Sequence, residues 1–264
     1  MLLIPRVTVT TALVLRAEAW REKDRLLVLL TRERGKVTAL AQGAQRPQNR
    51  LVAAAQTGVQ AVFWLARGRE RDRVTDVLIT HLPQRLRSDG MALTAFGVLA
   101  EVLKLATPAE APDAALFDEV VALYARLEAG APVHKWLVTV LIRLLWRFGW
   151  MPYLLDCAIC RQPIGGSETV FAPSAGGALC GGCAVHCRLP DRQTVTVATL
   201  RALDALWREP RLMDTLHLRP VLWEQAIGLL RSVWCYHLES DLRAWRVWHQ
   251  WSGRRTPSVL LPRP

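Results

Sequence analysis

Apolar alternation with period two from Val7 to Thr80, a change to helical period near residue 90, and two C-x-x-C pairs nineteen residues apart predict an α+β chain. The expected architecture is an N-terminal five-stranded OB-type β-barrel followed by an all-α domain with an embedded zinc-binding loop. The expected divisions are residues 1–85 for the barrel, 86–251 for the helical domain with its four-cysteine zinc site at about 153–188, and 252–264 for a flexible tail.

The first strand is expected over Val7–Leu15, where Val7, Val9, Thr11, Leu13 and Leu15 alternate and β-branched residues are enriched. Arg25–Thr31 forms the second, ended by the turn Arg32-Glu33-Arg34-Gly35, and Lys36–Ala41 the third, ended by Gly43. Val59–Leu65 and Val74–Thr80 are the fourth and fifth, joined by the charged loop Ala66–Arg73. Five short strands with basic loops fit an OB-type barrel, and an SH3-like barrel gives a similar count. Beyond residue 90, Leu93, Phe96, Val98, Leu99, Val102, Leu103 and Leu105 make one wide helical stripe. Asp113 caps a second expected helix that runs to Glu128 before Gly130. A third spans Val133 to Phe148, with Trp136, Leu137, Val140, Leu141, Leu144 and Leu145 on its apolar face. Helices are expected again at 194–207 and 220–248, where Trp245 and Trp248 share a face that packs into the core.

With 51% hydrophobic residues the chain is expected to pack rather than remain disordered. No apolar run is long enough for a membrane span, and the opening MLLIPRVTV lacks the parts of a signal peptide, so a cytoplasmic protein is expected. The net charge of +11 calls for an acidic partner. Residues 1–85 hold 15 Lys and Arg against 7 Asp and Glu, so most of the excess sits on the expected barrel. A bias toward arginine across a whole proteome would not concentrate it there, and a nucleic-acid-binding surface is expected.

Cys157-Ala-Ile-Cys160 and Cys180-Gly-Gly-Cys183 have the spacing of a tetrahedral thiolate zinc site. Gly181 and Gly182 are expected to let the backbone turn around the metal, and His186 or Cys187 is near enough to replace a ligand. Cys235 reads as an ordinary buried thiol. Four cysteines fill the coordination shell, so the expected zinc, one per chain, is structural. His237-Leu-Glu239 follows the cysteine pairs instead of preceding them, unlike the deaminase signature. P-loop and nucleophile-elbow motifs are also missing, which leaves no catalytic residue, no small-molecule substrate and no enzyme activity in the reading.

The candidate nucleic-acid contacts are the cations around the expected loops: Arg21, Lys23 and Arg25; Arg32, Arg34 and Lys36; Arg46 and Arg50; and Arg67, Arg69, Arg71 and Arg73. The last four alternate, and in an extended segment they would line one side as a phosphate track. Phe63, Trp64 and Trp20 are candidate stacking platforms, although one of Phe63 and Trp64 must face the core. Phosphate contacts alone do not separate DNA from RNA, so an RNA- or ribosome-associated zinc protein is the alternative reading.

The segment Lys23-Asp-Arg-Leu-Leu-Val-Leu-Leu-Thr-Arg-Glu-Arg-Gly-Lys36, followed by Ala41-Gln-Gly-Ala-Gln-Arg-Pro47, resembles the N-terminal signature of the bacterial recombination mediator family RecO. The order of barrel, helical domain and embedded cysteine pairs is similar too. The resemblance implies binding of single- and double-stranded DNA and annealing of complementary strands. It also implies work with RecR to load RecA on DNA coated by single-strand-binding protein (SSB), in the RecF pathway on the nucleoid. It further implies a groove for the acidic SSB tail, placed here near Trp136, Arg143 and Arg147. The chain departs from the family in carrying Gln42, Gln45 and Gln48 where relatives often have Lys or Arg.

Overall fold

The computed structural model describes residues 7–187 and 189–252. The expected tail therefore lies, apart from Ser252, outside the described residues, as does the segment before Val7. The described residues fall into two compact units, one running to Glu128 and resuming at Arg243, the other Ala129–Leu242. This grouping differs from a division at residue 85, because helices that follow the barrel pack within its unit.

In the first unit, β1 (Val7–Trp20) pairs antiparallel with β2 (Asp24–Thr31), which pairs with β3 (Gly35–Ala41). A short helix, α1 (Leu51–Ala54), precedes β4 (Gln60–Ala66), which returns to the first half of β1 and pairs with β5 (Asp72–His81). A short parallel seam, Ala39 to Asp72 and Leu40 to Arg73, closes the barrel in the order β1-β2-β3-β5-β4, the OB arrangement. All five expected strands are present. β1 runs past the expected Leu15 because its register shifts between Val14 and Arg16. That bulge bends the strand so that one half serves β4 and the other β2, and it leaves Leu13, Val14 and Leu15 all buried. The lumen is filled by Val14, Leu27, Leu29, Val37, Phe63 and Leu65 with small alanines between them.

After α2 (Gln84–Ser88), the helix α3 (Gly90–Ala106) starts where the Asp89 carboxylate accepts from the Met91 and Ala92 N–H groups. Asp113 caps α4 (Ala114–Glu128) as expected, its carboxylate accepting from Leu116 N–H at 2.8 Å. The strap between α3 and α4 lies along β3, with Glu110 N–H donating to the Lys36 carbonyl at 2.9 Å. Gly35 is needed there: its φ is +67°, and a Cβ would meet the Ala111 carbonyl oxygen at 2.0 Å. The last helix of the unit, α10 (Arg243–Ser252), packs on α3. Its first N–H groups, from Arg243 and Ala244, donate to the Glu101 carboxylate at 3.1 and 2.7 Å.

The second unit is built on α5 (Val133–Arg147), buried from Trp136 through Ile142 and again at Leu144 and Leu145. Around it pack α7 (Val197–Arg208), α8 (Leu212–Thr215) and α9 (Pro220–Leu238). The cysteine region contains a small sheet, β7-β6-β8, that the pattern did not announce. Its strands are β6 (Glu168–Ala172), β7 (Gly177–Leu179) and β8 (Gln193–Thr196), with the one-and-a-half-turn α6 (Gly181–His186) after β7. The helix expected over 220–248 breaks at Glu239, whose φ of +48° ends α9. None of the described helices is long and apolar enough to cross a membrane.

Candidate nucleic-acid interface and metal centre

Three connections of the barrel meet at the turn that follows Trp20. The turn 21–23 between β1 and β2 is held by the 42–50 loop: Gln45 N–H donates to the Lys23 carbonyl at 3.0 Å, and its side-chain amide to the Asp24 carbonyl at 2.7 Å. Gly43 N–H donates to the Asp24 carboxylate at 2.8 Å. From the β4–β5 loop, the Arg71 guanidinium lies 4.6 Å above the Trp20 ring, a cation–π contact. Gln45 thus ties loops together and is not a substitute phosphate ligand. Arg21, Lys23, Arg46, Arg69 and Arg73 are exposed and make no ion pair among the described residues. Arg50 is exposed as well and rests 3.3 Å from Asp76. Phe63 turns into the core and Trp64 outward, as strand parity requires.

The remaining expected contacts are committed elsewhere. Arg34 is buried against Asp72, the side chains 13% and 4% exposed, and also reaches Glu110 and the Thr8 hydroxyl. Lys36 donates to the Lys104 and Thr107 carbonyls at the end of α3, where burial, and then the nearby Lys104 charge, lower its pKa. Arg25 donates to the Ala55 carbonyl at 3.0 Å. These three hold the unit together and are corrected from phosphate ligands to structural cations. Arg32 is exposed but gripped by Asp118, and Arg67 by Glu110. The expected one-sided track over 67–73 does not form. The loop folds over Gly68, where a Cβ would meet the Arg71 carbonyl at 2.1 Å, and sends Arg67 and Arg71 to different partners.

The groove expected near Trp136 is also corrected. Trp136 is 0% exposed inside the helical core and cannot line a surface. Arg143 donates to the Trp207 carbonyl at 2.7 Å and lies 5.0 Å over Trp146, which stacks on Trp207; Arg147 is half-buried.

The sulfurs of Cys157, Cys160, Cys180 and Cys183 lie within 4.8 Å of one another, a set that could hold a metal ion. Zinc–thiolate bonds of about 2.3 Å at tetrahedral angles separate sulfurs by about 3.8 Å. The Cys160–Cys180 distance is 3.6 Å, so the donors fit such an ion and are far from disulfide length. His186, Cys187 and Cys235 are outside the cluster. The first knuckle is anchored by Cys157 N–H donating to the Gln162 carbonyl and Ala158 N–H to the Ala178 carbonyl of β7. Gly181 and Gly182 form the first turn of α6 without positive φ, so the expected backbone requirement does not apply. Burial opposes ionisation of Cys157, yet the N–H groups of Cys160, Cys180 and Ile159 outweigh it and bring the thiol down to about 6. Hydrogen bonding with Cys180 and Cys160 holds Cys183 up to about 12. Four thiols whose sulfurs lie this close form a set in which a cation would stabilise several thiolates at once.

Fold and site together define a class: OB-barrel proteins that carry a helical unit with a four-cysteine centre. The Recombination protein O N-terminal model matches residues 6–82, and the C-terminal model residues 87–246. The DNA repair protein RecO of Desulforudis audaxviator (strain MP104C) is 35% identical over 241 residues, covering 89% of this chain and 93% of its own. That of Pelotomaculum thermopropionicum (strain DSM 13744 / JCM 10971 / SI) is 30% identical over 235 residues, covering 89% and 90%. The chain belongs to the recombination protein O family.

Proposed function

We propose that the chain is a non-enzymatic mediator of homologous recombination in the RecF pathway. It binds single- and double-stranded DNA on the barrel, anneals complementary strands and, with RecR, assists RecA loading on SSB-coated DNA. The observation that carries the reading is the meeting of three loops at the β1–β2 turn beside Trp20, with Arg21, Lys23, Arg46, Arg69 and Arg73 exposed on them or beside them. Cations there would neutralise phosphates while Trp20 offers a ring to an unstacked base. Family membership supports DNA over RNA as the polyanion. The four cysteines would hold one zinc ion as a structural tie between the two knuckles, a closed donor set that leaves no open position for catalysis. The acidic SSB tail would meet Arg143 beside the exposed Trp146. The reading places the protein in the cytoplasm, on the nucleoid.

Strand annealing without ATP, on complementary oligonucleotides coated with cognate SSB, tests the mediator role. Annealing faster than in protein-free and albumin controls supports it. No acceleration, with DNA binding intact, overturns it and leaves a nucleic-acid-binding barrel protein.

A further inference from the structure

Two carboxylates that follow the barrel in sequence sit on cations of its loops. Asp118, on the exposed side of α4, takes Arg32 in a two-pronged grip, Nε to Oδ1 and Nη2 to Oδ2, each 2.9 Å. Parallel N–H···O bonds to two oxygens of one anion are how a guanidinium holds a phosphate. Glu110, in the strap between α3 and α4 with φ at +54°, reaches Arg67 at 2.5 Å and Arg34 at 3.2 Å. Arg32, Arg67, Asp118 and Glu110 are all solvent-accessible, their side chains roughly half exposed, so a competing anion can reach each pair. Arg34 differs, since its buried partner Asp72 stays with it whatever happens to Glu110.

We infer that Asp118 and Glu110 are internal phosphate mimics, which occupy Arg32 and Arg67 in the free protein and are exchanged for backbone phosphates when a nucleic acid binds. The inference rests on the proposed DNA-binding role of the barrel. Holding Arg32 and Arg67 oriented, each carboxylate presets the geometry a phosphate will use. It also holds down affinity, because every such contact must first displace an anion of the protein itself. Exposed ion pairs of this kind contribute little to folding stability, so opening them leaves the fold intact.

The test is a double-substitution cycle on the full chain: wild type, Asp118→Ala, Arg32→Gln and the double variant, each titrated with a fluorescein-labelled oligothymidylate over a range of salt. For a single strand, one added phosphate contact steepens the salt slope by about 0.7 and is worth about eight-fold at 0.05 M relative to 1 M salt. Asp118→Ala is expected to gain about that factor with Arg32 present and to gain little in the Arg32→Gln background. Arg32→Gln alone should change binding only slightly. A gain from Asp118→Ala that is the same with and without Arg32 would reduce the effect to net charge and overturn the inference, leaving the binding role intact. Failure of the wild type to bind the oligonucleotide would instead overturn the binding role itself. Glu110→Gln with Arg67→Gln repeats the cycle at the second pair, where Gln tolerates the same backbone, and guards against a local folding defect at the first.

Discussion

Replacing Asp72 with alanine separates a structural arginine from a DNA contact. Asp72 begins β5 at the parallel seam, and its carboxylate lies against Arg34, both side chains nearly out of water. Removing one partner of a buried pair costs about 3–5 kcal/mol, because a desolvated charge is left behind. Arg34 would still have the half-exposed Glu110 and the Thr8 hydroxyl, which places the loss near the lower end, at about 3 kcal/mol. The chain has two compact units, so a single melting midpoint does not isolate this effect. Amide hydrogen exchange does. Barrel N–H groups such as those of Leu27, Leu29 and Val37 should exchange faster by about 150-fold when they open through barrel unfolding. Arg34→Met with Asp72→Leu, which removes both charges and keeps apolar volume, should recover most of the protection. The reasoning fails if Asp72→Ala leaves exchange unchanged. It fails equally if Arg34→Gln weakens DNA binding and raises no exchange rate, for then Arg34 is a phosphate ligand after all.

Lys36→Met should lower barrel stability by about 1–2 kcal/mol, since the Lys104 and Thr107 carbonyls lose their donor, while the salt slope of DNA binding stays where it was. Stripping metal with a strong chelator, or Cys160→Ser, should release one zinc per chain, read by mass spectrometry under native conditions, and deprotect the β6 and β7 amides. Retention of the metal by Cys160→Ser would count against a four-cysteine shell. Tyr124→Phe should cost about 1–2 kcal/mol, because the Gly58 carbonyl loses the phenol donor at 3.0 Å. Burial and the neighbouring Glu128 raise the Tyr124 pKa above its ordinary 10.0. The neutral phenol therefore supports the fold below pH 10.0, and support is lost as pH rises beyond it; Tyr124→Phe should flatten that alkaline loss in pH-dependent unfolding.

Strands and cysteines were legible because their signals are local. Alternation placed all five barrel strands, and ligand spacing placed the four sulfurs. Where parity broke, the reading broke with it: at the bulge after Val14 four consecutive residues, Ala12 to Leu15, are buried, which no period-two pattern contains. The strands β6, β7 and β8 have five, three and four residues, too few to show a period. The break at Glu239 has neither glycine nor proline to mark it, and apolar residues continue on both sides. Among the cations, the deciding partners are distant in the chain. Arg34 meets Asp72 and Glu110, Arg32 meets Asp118, and Lys36 meets carbonyls at the end of α3. Local sequence therefore lists the cations of the barrel but does not distinguish those facing solvent from those already neutralised. Trp136 misled for a related reason: it lies on the face of α5 that packs inside its own unit, whereas Trp146, on the same helix beside Arg143, faces solvent.

The seating of α10 against α3 has a consequence for how the protein is made. The N-terminal unit includes a helix encoded after the whole second unit, and Glu101 waits for the Arg243 and Ala244 amides to arrive. During synthesis the barrel can close long before its unit is complete, with the α10-facing side of α3 open to other apolar surfaces meanwhile. A chain stopped at Leu242 would retain every cysteine of the metal cluster and every loop of the barrel. It would still lack part of its first unit, so damage at the C-terminal end is felt at the N-terminal one.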